Sequence, residues 1–256
     1  MQGDLEGNYD SAVTRQDSRR NAVPFDPRHF ERLAGCGNHL SREETFRDIH
    51  RRHHWAGSAS PSGAGAAEEQ TARLRTELPR LLADLGVRTL LDLPCGDYSW
   101  MATIELPVER YIGADLLPEL IAPLQQHHGN ARRQFTVLDL TRHPLPQADL
   151  LLCRDCLVHL SLADIRAALR NVVQSRIPYL LTTTFPDGAE NEDIVTGDWR
   201  VLDLQRPPFS FPPPLRLLNE GCTEGAGRFT DKSLGLWRVS DLATLPMCDR
   251  AECIDP

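Results

Sequence analysis

The stretch Leu90-Leu91-Asp92-Leu93-Pro94-Cys95-Gly96-Asp97-Tyr98-Ser99-Trp100-Met101 constrains the fold more than any other part of the chain. It reads as a buried strand, a tight turn and then a helix. Asp92 closes the strand and one glycine, Gly96, occupies the turn. In a doubly wound α/β protein a nucleoside pocket opens at such a turn, at the carboxyl edge of the sheet. A dinucleotide site wants G-x-G-x-x-G, so that bare backbone and a helix N-terminus approach a pyrophosphate. Here Pro94 and Tyr98 replace small residues, and Asp97 puts a carboxylate where phosphates would sit. A ligand with an adenosine end and a cationic amino-acid end is attracted instead, and S-adenosylmethionine has that form.

The rest of the chain supplies the other strands. Strands are expected at 89–93, 110–114, 134–138, 148–153 and 178–183, alternating with helices. One helix runs from about Pro118 to His128. Another is capped by Ser161, with Ile165, Ala168, Leu169, Val172 and Val173 as its buried stripe. Five alternating strands imply parallel pairing with right-handed crossovers. Leu215–Leu218 and Leu234–Val239 read as a closing antiparallel pair. The expected architecture is a doubly wound, Rossmann-like, mostly parallel seven-stranded sheet with an antiparallel closing strand.

Ahead of the sheet, residues 1–40 read as a polar arm and 41–88 as a helical cover. Ser41 with Glu44 forms a capping box for a helix bearing Phe46, Ile49 and Trp55. A Ser/Gly/Ala breaker spans 58–65. Leu74, Leu78, Leu81, Leu82 and Leu85 then mark a second helix, which Pro79 should kink or restart before Gly86 stops it. Residues 89–245 form the expected catalytic domain and 246–256 a tail.

Strand ends supply candidate ligand contacts. Asp115, 23 positions after Asp92, is placed to accept both ribose hydroxyls, with Leu116 beside it. Asp139 and Leu140, after the third strand, are placed at the adenine edge and face. With Asp92, Pro94, Cys95, Gly96, Asp97, Trp100 and Arg154 they make the candidate cofactor wall. Asp155 and His159 leave the fourth strand and are the candidate proton acceptors; an ordinary imidazole titrates near 6.5, which suits that work. The competing reading of His159 is a packed, hydrogen-bonded helix residue.

The stretch 182–200 is polar yet carries large aromatics, which favours a substrate lid over a solvated connector. Candidate acceptor contacts are Trp55, Phe185, Asn191, Asp193, Trp199 and Asn219. Trp55, Trp100 and Trp199 are also placed to face a sulfonium by cation–π contact. The proline-rich run 207–214 reads as a stiff strap packing Phe209 and Phe211 onto the body. Cys153-x-x-Cys156 lacks the second ligand pair a structural zinc needs, because Cys248 and Cys253 have four residues between them, so no metal is expected.

Composition narrows the partners. A net charge of −8 argues against a nucleic-acid backbone as partner. No apolar run reaches spanning length, so no membrane partner is expected. The polar N-terminus has no apolar signal core, and seven irregularly spaced cysteines suit reduced thiols, so the expected compartment is the cytoplasm. Oligomeric state is open.

With these residues in place, the chain resembles class I S-adenosylmethionine-dependent methyltransferases over roughly 41–245. LLDLPCGD is similar to that fold's first motif, YIGADL to its second, VLDL to its third and LLLCRDCLVHLS to its fourth. LPCGDYSWM, LLTTTFP, DIVTGDWR and DKSLGLWR together resemble a bacterial subfamily of it. The resemblance implies a cofactor site at Asp92, Gly96, Asp115 and Asp139. It leads to an expectation of methyl transfer to a small polar acceptor, such as a sugar or natural-product hydroxyl. Another reaction of the same cofactor, releasing methylthioadenosine, and a non-catalytic binding module are the alternatives.

Overall fold

The computed structural model describes residues 23–55, 60, 62–188 and 190–245. Most of the expected polar arm (1–22), part of the breaker (56–59 and 61), the tail 246–256 and the Cys248/Cys253 pair lie outside the described residues.

Seven strands form one sheet: β1 Thr89–Asp92, β2 Arg110–Asp115, β3 Arg133–Val137, β4 Leu150–Cys153, β5 Tyr179–Thr184, β6 Arg216–Asn219 and β7 Ser233–Arg238. Their order is β3-β2-β1-β4-β5-β7-β6. The first five pair in parallel, while β7 pairs antiparallel with both β5 and β6. β1 sits centrally, and the order reverses between β1 and β4. A crevice opens there because crossovers leave to opposite sides.

Both faces of the sheet are covered, so the central strands are apolar runs rather than alternating ones. Alternation along each strand still sorts side chains by face. Leu91, Leu151 and Leu180 join one core cluster, and Leu90, Leu150, Leu152 and Leu181 join the other. The first cluster packs under the helix Leu162–Ser175, through Ile165, Ala168, Leu169 and Val172. Phe209 and Phe211 of the proline-rich strap join it; Phe211 lies edge-on to Trp237, whose indole N–H donates to the Pro212 carbonyl at 2.7 Å. The second cluster packs under the helices Glu68–Asp84 and Pro118–His128.

In order, the helices are α1 His29–Gly35, α2 Arg42–Arg52, α3 Glu68–Asp84, α4 Pro118–His128, α5 Leu162–Ser175 and the short α6 Val239–Leu242, with a distorted turn at Glu224–Gly227. α1 lies in the segment read as arm, and its Phe30 is buried. The capping box of α2 forms as read: Ser41 accepts from the Glu44 N–H, and Glu44 reaches back to the Ser41 N–H at 2.8 Å. Pro79 neither kinks nor restarts α3, which runs unbroken through it. Leu74, Leu78, Leu81 and Leu82 are buried against the sheet. At about 1.5–3 kcal/mol each, their burial offsets the roughly 3 kcal/mol an interior proline costs. α3 is therefore one layer of the sheet domain, while α1 and α2 cap its carboxyl edge.

Candidate functional site

A cavity of about 160 Å³ opens at the carboxyl ends of β1, β2 and β4. Its walls bring together every residue read as cofactor-binding: Asp92, Pro94, Cys95, Gly96, Asp97, Trp100, Asp115, Leu116, Asp139, Leu140 and Arg154. α2 closes the far side with Arg42, Phe46, Ile49, His50 and, just beyond its end, Trp55.

The β1 turn is held by its own polar groups. Gly96 has φ +55°, and a side chain there would meet the Ser62 hydroxyl at 2.6 Å, so glycine suits both the turn and the close approach of Ser62. The Gly96 N–H donates to one Asp115 oxygen and the Leu117 N–H to the other, both at 3.3 Å. Burial raises the Asp115 carboxyl above its ordinary value, against those bonds. Asp97 accepts from the Ser60 hydroxyl at 2.7 Å, and its N–H donates to Ser62. Asp92 is buried; burial pushes its carboxyl up to about 7, opposed by a 2.6 Å hydrogen bond from the Tyr111 hydroxyl and by the charge of Arg154. Tyr98 is not a cavity residue. Its ring packs among Tyr111, His128 and Phe135 in the second core cluster.

Asp139 reaches the cavity wall, but not with an open carboxylate. One oxygen accepts from the Thr141 N–H and hydroxyl, the other from Arg42 and Arg142 at 2.8 Å each. Burial would raise this carboxyl, but those four partners outweigh it and hold it at about 2. The expected contact of Asp139 with an adenine edge is thereby corrected: its acceptor sites are full, and it anchors the cover through Arg42, which also pairs with Asp164.

A second cavity, about 80 Å³, adjoins the first, and the two share Trp55, Ser62 and Asp155. Phe25, Trp55, Phe185, Trp199 and Phe229 give it aromatic walls, and His159, Lys232, Glu224 and Cys222 give it polar groups. Of the expected acceptor contacts, Trp55, Phe185 and Trp199 are here. Asn191, Asp193 and Asn219 are not, because each is engaged with backbone. Asn191 bridges Asp203 and Pro207, Asp193 caps the N-terminus of α5 through the Leu162 N–H, and Asn219 spans Thr230 and Gly221. Within the 182–200 stretch read as a lid, Phe185, Ile194, Trp199 and Arg200 are buried while Asp193 and Val195 are exposed.

His159 stacks on Trp55, with ring centroids 4.3 Å apart. Its Nδ1 lies 3.0 Å from the Asp198 carbonyl, so Nδ1 carries the proton and Nε2 keeps a free lone pair. Burial pushes the imidazole down to about 4, against the Asp198 carbonyl and the Asp155 charge, so it is neutral at pH 7. Asp155 is different. Burial would raise its carboxyl, but Lys232 at 2.7 Å and Arg154 at 3.4 Å outweigh burial and hold it far below the usual range. A carboxylate so paired is a poor proton acceptor, so of the two candidates read from the sequence His159 is the better suited. Arg154 is itself clamped by both oxygens of Glu220, donates to the Gly65 carbonyl at 2.8 Å and lies over the Trp100 ring.

Reading by motif missed Phe25, Arg42, Ser62, Phe229 and Lys232. Lys232 lies in DKSLGLWR, but only pairing across the sheet brings it to Asp155, 77 positions away.

No protein-family profile matches the chain. No curated protein matches it either. Solved structures do share its fold. The mitomycin 7-O-methyltransferase MmcR aligns with a TM-score of 0.56 at 19% identity, over 87% of this chain and 70% of that one. Human N-acetylserotonin methyltransferase in complex with SAM aligns with a TM-score of 0.53 at 16% identity, over 87% of this chain and 64% of that one. The N-methyltransferase NodS from Bradyrhizobium japonicum WM9 aligns with a TM-score of 0.50 at 17% identity, over 66% and 96%. The chain thus spans about two thirds of the first two, and its fold is the one these methyltransferases share. Among the described residues no helix is long and apolar enough to cross a membrane.

Proposed function

We propose that the chain is an S-adenosylmethionine-dependent methyltransferase acting on a hydroxyl of a small polar acceptor, as in sugar or natural-product modification. One observation carries the reading. A cavity lined by Asp92, Asp97 and Asp115 at the sheet's switch point meets, at Trp55 and Asp155, an aromatic cavity that holds a neutral histidine. The residues present fit the cofactor. Asp92, Asp97 and Asp115 suit a ribose and a cationic amino-acid end, while the nearby cations Arg42 and Arg154 are already paired with carboxylates and leave no site for a pyrophosphate. When bound, the cofactor supplies an electrophilic methyl group on a sulfonium.

The chain's own part is positioning and proton transfer. Asp115 would orient the ribose and Leu140 an adenine face. Trp55, shared by both cavities, and Trp100 would lie against the cationic end. The His159 Nε2 lone pair is placed to accept the acceptor's proton as its oxygen becomes nucleophilic. Phe25, Trp199 and Phe229 would stack on a flat acceptor and keep water out. MmcR is an O-methyltransferase by name and NodS an N-methyltransferase, so the choice of oxygen rests on His159: a hydroxyl must give up its proton as it attacks and so needs a neutral base beside it, whereas a neutral amine attacks through its own lone pair.

The test is product mass. The protein is incubated with S-adenosylmethionine and a panel of phenolic, sugar and amine acceptors. A methylated hydroxyl compound with S-adenosylhomocysteine is the expected outcome. Release of methylthioadenosine would replace the reading with aminopropyl or cyclising chemistry, and calorimetry showing no cofactor binding would leave a binding module.

A further inference from the structure

Asp198 lies in the DIVTGDWR stretch and is 1% exposed. Its side chain and backbone hold different things. The carboxylate accepts the Phe30 N–H at 2.8 Å and the Glu31 N–H at 3.0 Å, which are the orphan donors at the start of α1. The carbonyl of the same residue accepts Nδ1–H of His159 at 3.0 Å. Its neighbours repeat the pattern. The Gly197 N–H donates to the His159 carbonyl at 2.8 Å, and the Trp199 N–H to the Pro27 carbonyl at 3.2 Å. Gly197 has φ +109°, and a side chain there would collide with Thr45 and Phe30. Arg200, also buried, donates to the Leu157 and Leu160 carbonyls on either side of His159 and to the Glu192 carbonyl. Residues 197–200 therefore form one strut, gripped by the N-terminal cover on one side and by the His159 turn on the other.

We propose that Asp198 is a positioning residue that ties the N-terminal cover to the proton acceptor: while its carboxylate caps α1, its carbonyl holds His159 in the Nδ1–H tautomer with Nε2 toward the acceptor cavity. The proposal rests on the reading of His159 as base. It makes the cover more than a wall of the cavity. With α1 docked the imidazole has one tautomer and one pose; with α1 released the strut loses its outer support and the ring is hydrated. The charged groups facing the imidazole are Asp155, Lys232 and Arg200, and none of them lies on α1 or α2, so releasing the cover leaves them in place.

The test uses the full chain carrying Asp198→Ala, with ¹⁵N-histidine spectra, kinetics and calorimetry read together. The expected result is loss of the single Nδ1–H tautomer at His159, with titration moving from about 4 toward the ordinary 6.5. kcat should fall about 10²-fold, as ångström-scale misplacement of a catalytic group does, while the Kd for S-adenosylhomocysteine stays within about twofold. A His159 spectrum and kcat unchanged from the parent overturn the proposal, as does a fall in kcat matched by an equal loss of cofactor affinity. If Asp198→Ala does not fold, Asp198→Asn, which keeps one acceptor oxygen for the two N–H groups, is measured in the same three ways, and the same results support or overturn the proposal. A normal kcat in His159→Ala would end the reading of His159 as base, yet the spectra of the Asp198 variants would still decide whether the cover sets its tautomer.

Discussion

Replacing Asp115 by alanine tests the ribose contact proposed for the larger cavity. A carboxylate offers about four acceptor positions. Two are taken by the Gly96 and Leu117 N–H groups, both at 3.3 Å, the long end of useful hydrogen bonding. The Leu116 N–H also bears on this carboxylate, and the capacity that remains is open to ribose hydroxyls. Hydrogen bonds to a charged group are worth about 1.5–3 kcal/mol, which is roughly ten- to a hundredfold in Kd. Asp115→Asn keeps one oxygen and should fall between alanine and parent. Burial also raises this carboxyl, so parent affinity should weaken on acidification before an ordinary aspartate would protonate, and in Asp115→Ala that pH dependence should shrink. Calorimetry with S-adenosylhomocysteine reads the affinities, and thermal unfolding confirms that the variants are folded. A folded Asp115→Ala that binds within twofold of the parent would refute the ribose assignment.

Three further outcomes follow from the same geometry. His159→Ala should lower kcat by about 10²–10⁴-fold with cofactor affinity unchanged, and parent kcat should be flat above pH 5 and decline through about 4, measured as a pH–rate profile. Because the folded imidazole titrates at about 4 and an unfolded one near 6.5, the unfolded state takes up that proton first as pH falls; stability should drop by about 3 kcal/mol between 6.5 and 4, and urea titrations of the parent against His159→Gln should show the difference shrinking with acid. Arg42→Ala cuts the cover from Asp139 and Asp164, so proteolysis within 41–66 should quicken relative to the parent.

What the sequence showed and what it hid divide along range. Strand and helix positions were legible because they rest on local period and caps: Pro118–His128 and the Ser161 cap are where the pattern put them. That the residues read as a cofactor wall would line one cavity was legible too, since a doubly wound sheet delivers the ends of β1, β2 and β4 to one crevice whatever the loops do. The lining of the second cavity was half legible. Phe185 and Trp199 are large aromatics in a polar stretch, and both are buried. Asn191, Asp193 and Asn219 misled because a polar side chain in a loop has two uses, ligand contact or backbone satisfaction, and composition does not separate them. The 182–200 stretch reads as a lid on polarity alone. Several of its polar side chains instead serve the backbone, with Asp193 and Asp198 as caps and Arg200 on three carbonyls, and its two ends, 182–185 and 197–200, are buried.

The ion network beneath the two cavities shows why charge could not be read from the chain as a whole. Arg154 and Lys232 are cations beside the cofactor wall and by themselves would invite an anionic ligand. Glu220 lies against both, at 2.7 and 3.5 Å, and Asp155 against both, at 3.4 and 2.7 Å, so two cations meet two carboxylates and the cluster is neutral. Breaking any one member would leave a buried charge unpaired, a loss of several kcal/mol, whereas the intact set adds little net field. Arg42 is cancelled in the same way by Asp139 and Asp164. The field left in the larger cavity therefore comes from Asp92, Asp97 and Asp115. Asp92, held near 7 by burial, is the one whose charge an arriving cation can change: a positive group beside it would favour the ionised form, so cation binding should release a proton near neutral pH. A neutral nucleoside would not. Calorimetry of S-adenosylhomocysteine and S-adenosylmethionine in buffers of different ionisation enthalpy separates the two cases. Greater proton release with the sulfonium ligand places the positive sulfur within the field of Asp92, and equal release would assign that carboxylate to the amino group the two ligands share.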